Sequence, residues 1–214
     1  MEFFKKQESP DLSRETKTDS GFRSMLFCRF SVSQFRSCLI LIGLLSCMSA
    51  IAGETTKKIT VSNSDFEMAD KEGICLNWNK NAEICFDDPQ SGEACVQQKS
   101  SGSNWDCILH RPAFPAKENT KYRLTVWNRN TVTSGTVRFG VRLIDANQET
   151  MNQIQGGYIW RTVRKGVDKW TKYQMEFTTP PGLRGLNIYM NLIKPKGEIY
   201  WDNVVLEEVV TSSK

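Results

Sequence analysis

The 214-residue chain carries 28 Lys/Arg against 24 Asp/Glu, a formal net charge of +4. Residues 1–52 hold seven of the basic and five of the acidic side chains, so the remainder is close to neutral and has no clustered basic run. That argues against a nucleic-acid partner, and the length bounds the chain to one domain or two small ones.

Residues 1–24 are polar, charged and without apolar periodicity, which predicts disorder or a start upstream of the true one. Met25 opens a more ordinary export signal over residues 25–52. Arg29 and Arg36 precede the apolar run Cys38 to Leu45, and Ala50-Ile-Ala52 follows it. That run is too short to span a bilayer. Cleavage after Ala52 yields a secreted or periplasmic protein. Leu44-Leu-Ser-Cys47 alternatively reads as a lipobox, which would anchor an envelope protein to the membrane through Cys47. Residues 53–58 read as a short linker, 59–209 as one domain and 210–214 as a tail.

Past the leader four cysteines remain, Cys75, Cys85, Cys95 and Cys107. An even count in an exported chain predicts two disulfides. Turn-like stretches at 79–81 and 100–103 favour Cys75–Cys85 and Cys95–Cys107 among the three connectivities. Zinc is disfavoured, because no Cys-x-x-Cys pair is present and the single histidine, His110, is not in metal spacing.

From about Ile59 the chain alternates at period two in successive segments. These are Tyr122–Asn128, Val137–Leu143, Tyr173–Phe177, Leu186–Leu192 and Ile199–Leu206, with turn signals between them at 116–120, 145–148, 180–182 and 194–197. No amphipathic helix is evident. Many short strands with regular turns predict an all-β jelly-roll sandwich. Alternation assigns Tyr122, Leu124, Val126, Val137, Phe139, Val141, Leu143, Leu186, Ile188, Met190 and Leu192 to the core. The opposite faces carry Trp127, Arg138, Arg142, Gln174, Asn187, Tyr189 and Asn191. If those strands share one sheet, its outer face is polar with Trp127 and Tyr189 embedded in it.

Four ordered motifs then carry a family resemblance over about residues 59–208. Asn63-Ser-Asp-Phe-Glu67 resembles the N-x-x-F-E opening of the carbohydrate-binding modules of the cellulose- and xylan-binding jelly-roll group, families four, nine and twenty-two, which share the galactose-binding-like fold. Pro115 with Tyr122-Arg-Leu-Thr-Val-Trp127 resembles their P…Y-x-L strand. Trp170 to Phe177 and Pro180 resemble W-x-x-x-x-x-x-F-x-x-P. Gly197-Glu-Ile-Tyr-Trp-Asp202-Asn-Val-Val-Leu206 resembles the closing G-x-x-x-x-D-x-V-x-L.

The resemblance implies a polysaccharide or glycan ligand and a structural calcium ion held by Glu67 and Asp202, with Asp65 as a helper. It also reads Tyr122, Trp170 and Trp201 as structural. A sugar ring presents an apolar C–H face and a hydroxyl rim, which aromatic planes and Arg, Asn or Gln side chains match. Trp127, Arg138, Arg142, Gln174, Asn187 and Tyr189, with Trp105 and Trp160, are the candidate ligand residues. Arg138 and Arg142 also suit an acidic sugar. Trp78 and Trp105 lie near the cysteines, and Tyr158 with Trp160 reads as a groove wall or an ordinary strand pair.

Enzyme constellations are missing. There is no Gly-x-Ser-x-Gly, phosphate loop or dinucleotide fingerprint, and Glu198, Asp202 and Glu207 do not match a glycosidase spacing. The expectation is a non-catalytic glycan binder, with a separate glycan-active enzyme as a candidate partner. The competing reading is a protein-contact module on the same fold. Exposure of Trp127 and Tyr189 in one groove would favour the first, and a face covered by the cysteine-bearing loops the second.

Overall fold

The computed structural model describes residues 54–79, 81–99, 105–152 and 155–211, all within the unit Ser49–Lys214. The expected signal segment, the lipobox cysteine Cys47 and residues 212–214 of the tail lie outside the described residues.

Eleven strands are present among them: β1 Glu54–Ile59, β2 Ala82–Cys85, β3 Cys95–Gln98, β4 Asp106–Leu109, β5 Phe114–Pro115, β6 Lys121–Asn130, β7 Ser134–Ile144, β8 Tyr158–Thr162, β9 Val167–Thr178, β10 Gly185–Lys196 and β11 Ile199–Thr211. All pair antiparallel, in two sheets. One runs β2-β3-β11-β6-β9, with β1 added on β11; the other runs β4-β10-β7-β8, with β5 added on β10. Every strand expected from alternation lies inside one of these.

The alternation explains the layering. Val137, Phe139, Val141 and Leu143 of β7 and Leu186, Ile188, Met190 and Leu192 of β10 project from the five-stranded sheet. Tyr122, Leu124 and Val126 of β6, with Met175 and Phe177 of β9, belong to the six-stranded one. All are buried in a single core cluster, as two stacked sheets with inward alternation require.

In β11 the apolar positions switch from odd, Ile199 and Trp201, to even, Val204 and Leu206. The structure accommodates this with a register shift between Asp202 and Val205 against β6. A one-residue bulge lets both halves of the strand face the core, and Asn203 there takes a left-handed φ of 47°.

Three expectations are corrected. Residues 54–58 are not a linker. They form β1 with Ile59, pairing Glu54↔Thr211 through Ile59↔Leu206. Their exposure explains why no apolar alternation marked them: backbone pairing along the free side of β11 holds them. Val210, assigned to the tail, pairs with Thr55 in the same ladder.

The expected pairs Cys75–Cys85 and Cys95–Cys107 are not formed in the structure, where all four thiols are free. Ile74 pairs with Glu83, which leaves Cys75 on the Ala82 side of that bridge and Cys85 on the other. Cys85 instead faces Cys95 across the β2–β3 ladder. Cys107 lies in the other sheet beside Asn191. A turn's centre therefore misjudged the register.

Trp170 is not in the core; it is partly exposed on β9. Tyr122 and Trp201 are core residues.

Ile188 is fully buried between the two sheets. Truncating Ile188→Ala should cost about 2–5 kcal/mol, read as a lower urea midpoint. The exposed β1 substitution Lys57→Ala should leave that midpoint essentially unchanged.

Candidate functional site

The residues singled out for ligand contact do not share a sheet. Trp127 and Gln174 stand on β6 and β9, in the six-stranded sheet. Arg138, Arg142, Asn187, Tyr189 and Trp160 stand on β7, β10 and β8 of the five-stranded sheet, and Trp105 immediately precedes β4. The idea of one face holding both Trp127 and Tyr189 fails because alternation reports which side of a strand a residue takes. It does not report which sheet the strand joins.

The outer surface of the six-stranded sheet is closed by its own side chains. Arg129 lies with its Cζ 4.4 Å from the Tyr200 ring centroid and 5.6 Å from that of Trp170. It pairs with Asp88 at 3.3 Å. Trp170 Nε1 donates to the Asp88 carbonyl at 2.8 Å. Arg123 bridges Glu54 and Glu176, and Lys121 binds the same two carboxylates. The β2–β3 loop thus covers this face around Arg129, on the strand that carries Trp127.

The outer surface of the five-stranded sheet is different. In register across it stand Leu109, Tyr189, Gly140 and Trp160, and beside that row Cys107, Asn191, Arg138 and Thr162. Trp105 and Trp160 are exposed on this side, at 49% and 41%. Tyr158 meets Trp105 edge-on at 6.5 Å and Tyr189 edge-on at 5.1 Å. Tyr189 is itself only 2% exposed, so it supports Tyr158 and is not a platform. The Arg138 guanidinium stacks over Trp160 at 4.9 Å. Gly140 makes this possible, since a Cβ there would overlap the Ile159 carbonyl of β8. Glycine lets β8 approach β7 closely enough to set Trp160 beside Arg138.

Polar groups on this face are held from below. Asn187 Nδ2 donates to the His110 carbonyl at 3.0 Å, and its Oδ1 accepts from Arg142 Nη2 at 2.8 Å and Nε at 3.2 Å. His110 is itself structural. It is fully buried, stacked on Phe114 at 4.5 Å, with ring nitrogens 3.0 Å from the Ser62 carbonyl and 3.3 Å from that of Pro112. Burial depresses its pKa. Burial also pushes the Cys107 thiol up to about 12, so it is an inert thiol at neutral pH.

Asn191 Nδ2 donates to the Asp106 carbonyl at 3.1 Å. Asn191 Oδ1 and Arg138 Nε are buried atoms with no hydrogen-bond partner among the described residues. The two residues are direct register partners. The chemistry left over, one donor and one acceptor, is of the kind a hydroxyl group matches. At one end of the sheet a cleft of about 740 Å³ opens, lined by Arg111, Phe114, Arg142, Asp145, Arg184 and Asn187 among others.

Asn191, Arg111 and Arg184 were not among the ligand residues chosen from sequence, and Tyr158 was read there only as a groove wall or an ordinary strand pair. Tyr158 and Asn191 carried a signal, standing two residues from Trp160 and Tyr189 on the same alternating face. Arg111 and Arg184 lie outside strands and gave none.

The expected metal residues lie elsewhere. Asp202, fully buried on β11, accepts from the backbone N–H groups of Gln90 (3.0 Å), Ser91 (3.2 Å) and Asn203 (2.6 Å). Glu67 accepts from the N–H groups of Glu93 and Ala94. One loop, 90–94, therefore wraps both carboxylates. Gly92, at φ +67°, lets it do so, since a Cβ there would overlap Glu67 Oε1. Burial raises the Asp202 pKa to about 6, against the pull of its three N–H donors, and the Glu67 charge adds to the rise. Among the described residues no three His, Cys, Asp or Glu side chains converge on a metal-sized site. Asp65 is exposed and does not join the pair.

A sequence profile of the carbohydrate binding domain family, CBM 4 and 9, matches residues 59–197. A curated relative, the tRNA nuclease WapA of Bacillus subtilis (strain 168), is 26% identical over 150 residues, covering 68% of this chain. The match spans only 6% of that much longer protein. Among solved structures, the CBM22-1 xylan-binding domain of Paenibacillus barcinonensis Xyn10C superposes with a TM-score of 0.50 at 16% identity, over 66% of this chain and 91% of that one. A cyclase from Fischerella sp. TAU superposes with a TM-score of 0.51 at 14% identity, over 74% of this chain and 100% of that one. At these identities both likenesses concern the fold. The profile covers well over half of the sequence, and the chain belongs to the carbohydrate binding domain family.

Proposed function

We propose that this protein is an exported, non-catalytic glycan-binding protein whose ligand lies on the outer face of the five-stranded sheet. The observation that carries this reading is the set of Trp105, Tyr158 and Trp160 beside Arg138 and Asn191, whose buried polar atoms lack partners. Aromatic planes cover the apolar side of a sugar ring, and the unpartnered donor and acceptor take its hydroxyls. Family membership supports a carbohydrate ligand. A polysaccharide such as xylan is in the class that the solved relative's name describes.

The same face supports a reading of binding without turnover. Outward positions on β4, β7, β8 and β10 carry no Asp or Glu, so no pair of carboxylates flanks a bond laid across them. Any chemistry on the glycan would belong to a separate enzyme. Export rests on the leader pattern, with lipid anchoring at Cys47 as its alternative.

On a panel of neutral and acidic polysaccharides, the protein should bind at least one. Trp160→Ala and Trp105→Ala should each weaken that binding about tenfold or more, and Trp127→Ala should leave it unchanged. Absence of binding to every glycan, or a loss confined to Trp127→Ala, would overturn the assignment.

We further propose that Glu67 and Asp202 hold a structural calcium ion, completed by backbone carbonyls. Two carboxylates drawn to one loop, one of them buried with a raised pKa, are the chemistry a hard cation would neutralise. The ion would tie the 63–67 segment, the β2–β3 loop and β11 together.

In the metal-free protein the raised pKa means that burial favours the protonated Asp202. That contribution is full below the ordinary carboxylate value and lost as pH rises through about 6. Calcium should therefore raise the melting temperature at pH 7, and the gain should shrink below pH 6 as protons compete for Asp202. A melting temperature indifferent to calcium and to chelator at pH 7 would exclude the ion.

A further inference from the structure

The arginines of the two outer faces are treated differently. On the six-stranded sheet both outward arginines, Arg123 and Arg129, are ion-paired. On the five-stranded sheet Arg138 and Arg142 have no carboxylate within 4.0 Å among the described residues, and neither have Arg111 and Arg184 at the adjoining cleft. Arg138 is partly buried and its guanidinium donates no hydrogen bond among those residues; it only stacks on Trp160. Arg142 is clamped through Nε and Nη2 by Asn187, which His110 fixes in turn, and its Nη1 has no partner among the described residues. The one acidic residue lining the cleft, Asp145, spends its Oδ1 on the backbone N–H groups of Asn147 and Glu149.

A buried or part-buried guanidinium without an acceptor is costly, and an oriented one is a ready anion site. Accordingly, and resting on the carbohydrate reading above, we infer that this face takes an anionic glycan, with carboxylate or sulfate groups of the sugar chain seated on Arg138 and Arg142. Four residues of extended strand separate the two arginines, about 13 Å. That span is wider than one sugar ring, so the ligand is an oligosaccharide. Trp160 and Trp105 supply its stacking surface, and the cleft with Arg111 and Arg184 extends the anion track beyond Arg142. Neutral sugars could use the aromatics and the Asn191 amide, but they would leave the guanidinium charges uncompensated. A non-sugar polyanion would use the charges and leave the aromatics idle.

The test is calorimetric titration of the full chain at low salt with four probes: oligogalacturonate, a sulfated oligosaccharide, xylohexaose and polyglutamate. The first two distinguish carboxylate from sulfate as the source of charge. The inference expects one of them to bind about tenfold or more tightly than xylohexaose, and to weaken as salt is added. Arg142→Gln and Arg138→Gln should remove that advantage, each lowering affinity for the acidic oligosaccharide by a clearly larger factor than affinity for xylohexaose. Arg184→Gln, an exposed substitution that spares the fold, should reduce the advantage by a smaller factor.

Equal or tighter binding of xylohexaose would overturn the anionic preference and leave the carbohydrate reading standing. Polyglutamate binding as tightly as the acidic oligosaccharides, and equally in Trp160→Ala, would overturn the inference in favour of a charge-only surface. Failure of every oligosaccharide would overturn the carbohydrate reading and this inference with it.

Discussion

β10 is buried on both of its faces from Gly185 to Leu192, and the rest of the structure is arranged around that constraint. One side of it is apolar and fills the core. The other carries Asn187, Tyr189 and Asn191, three polar residues that are at most 2% exposed. Burying such groups is costly unless each finds a partner. Asn187 finds the His110 carbonyl and Arg142. Asn191 finds the Asp106 carbonyl for its amide hydrogens only, and its oxygen is left over. The site begins at that unmet requirement, because its neighbour across the ladder is Arg138, whose Nε has no acceptor among the described residues. The strand that anchors the core therefore also fixes where a hydroxyl-bearing ligand is most needed.

The two outer surfaces of the sandwich divide the remaining work. The six-stranded sheet is sealed by ion pairs, by Arg129 between two aromatic rings, and by a loop that also gathers the Glu67 and Asp202 carboxylates. Lys121, Arg123 and Arg129 have found ion-pair partners within the chain, although Arg129 Nε has no hydrogen-bond partner among the described residues. The five-stranded sheet keeps the Trp160 and Trp105 planes exposed, and its outward guanidinium groups have no carboxylate within 4.0 Å among the described residues. A surface that has satisfied itself gains little from a ligand, whereas one holding oriented, uncompensated donors gains a great deal.

The strands and core were legible because alternation is a local signal, and it survives even in β11, where the odd-to-even switch of apolar positions foretells the bulge at Asp202–Val205. Part of the site was legible for the same reason: Arg138, Arg142 and Asn187 lie on the outward sides alternation assigned, while Trp160 was read with Tyr158 as either a groove wall or a strand pair. Trp127 and Gln174 misled because sheet membership is set by long-range pairing, which period two does not encode. β1 escaped because backbone ladder bonds, not an apolar face, hold it. The cysteine pairing failed where register did, with Cys85 opposite Cys95. Arg111 and Arg184 were invisible because turns place them, and turn geometry brings together residues far apart in sequence.

Six tryptophans distributed over two faces and the interior make the central claim directly observable. The decisive measurement is the set of indole N–H resonances of the full chain, followed by NMR as a bound acidic or neutral oligosaccharide is titrated in. The account predicts that the resonances of Trp105 and Trp160 move and saturate together while those of Trp127 and Trp170 stay in place. Movement of Trp127 or Trp170 instead, with Trp105 and Trp160 unaffected, would put the ligand on the opposite sheet and contradict the account.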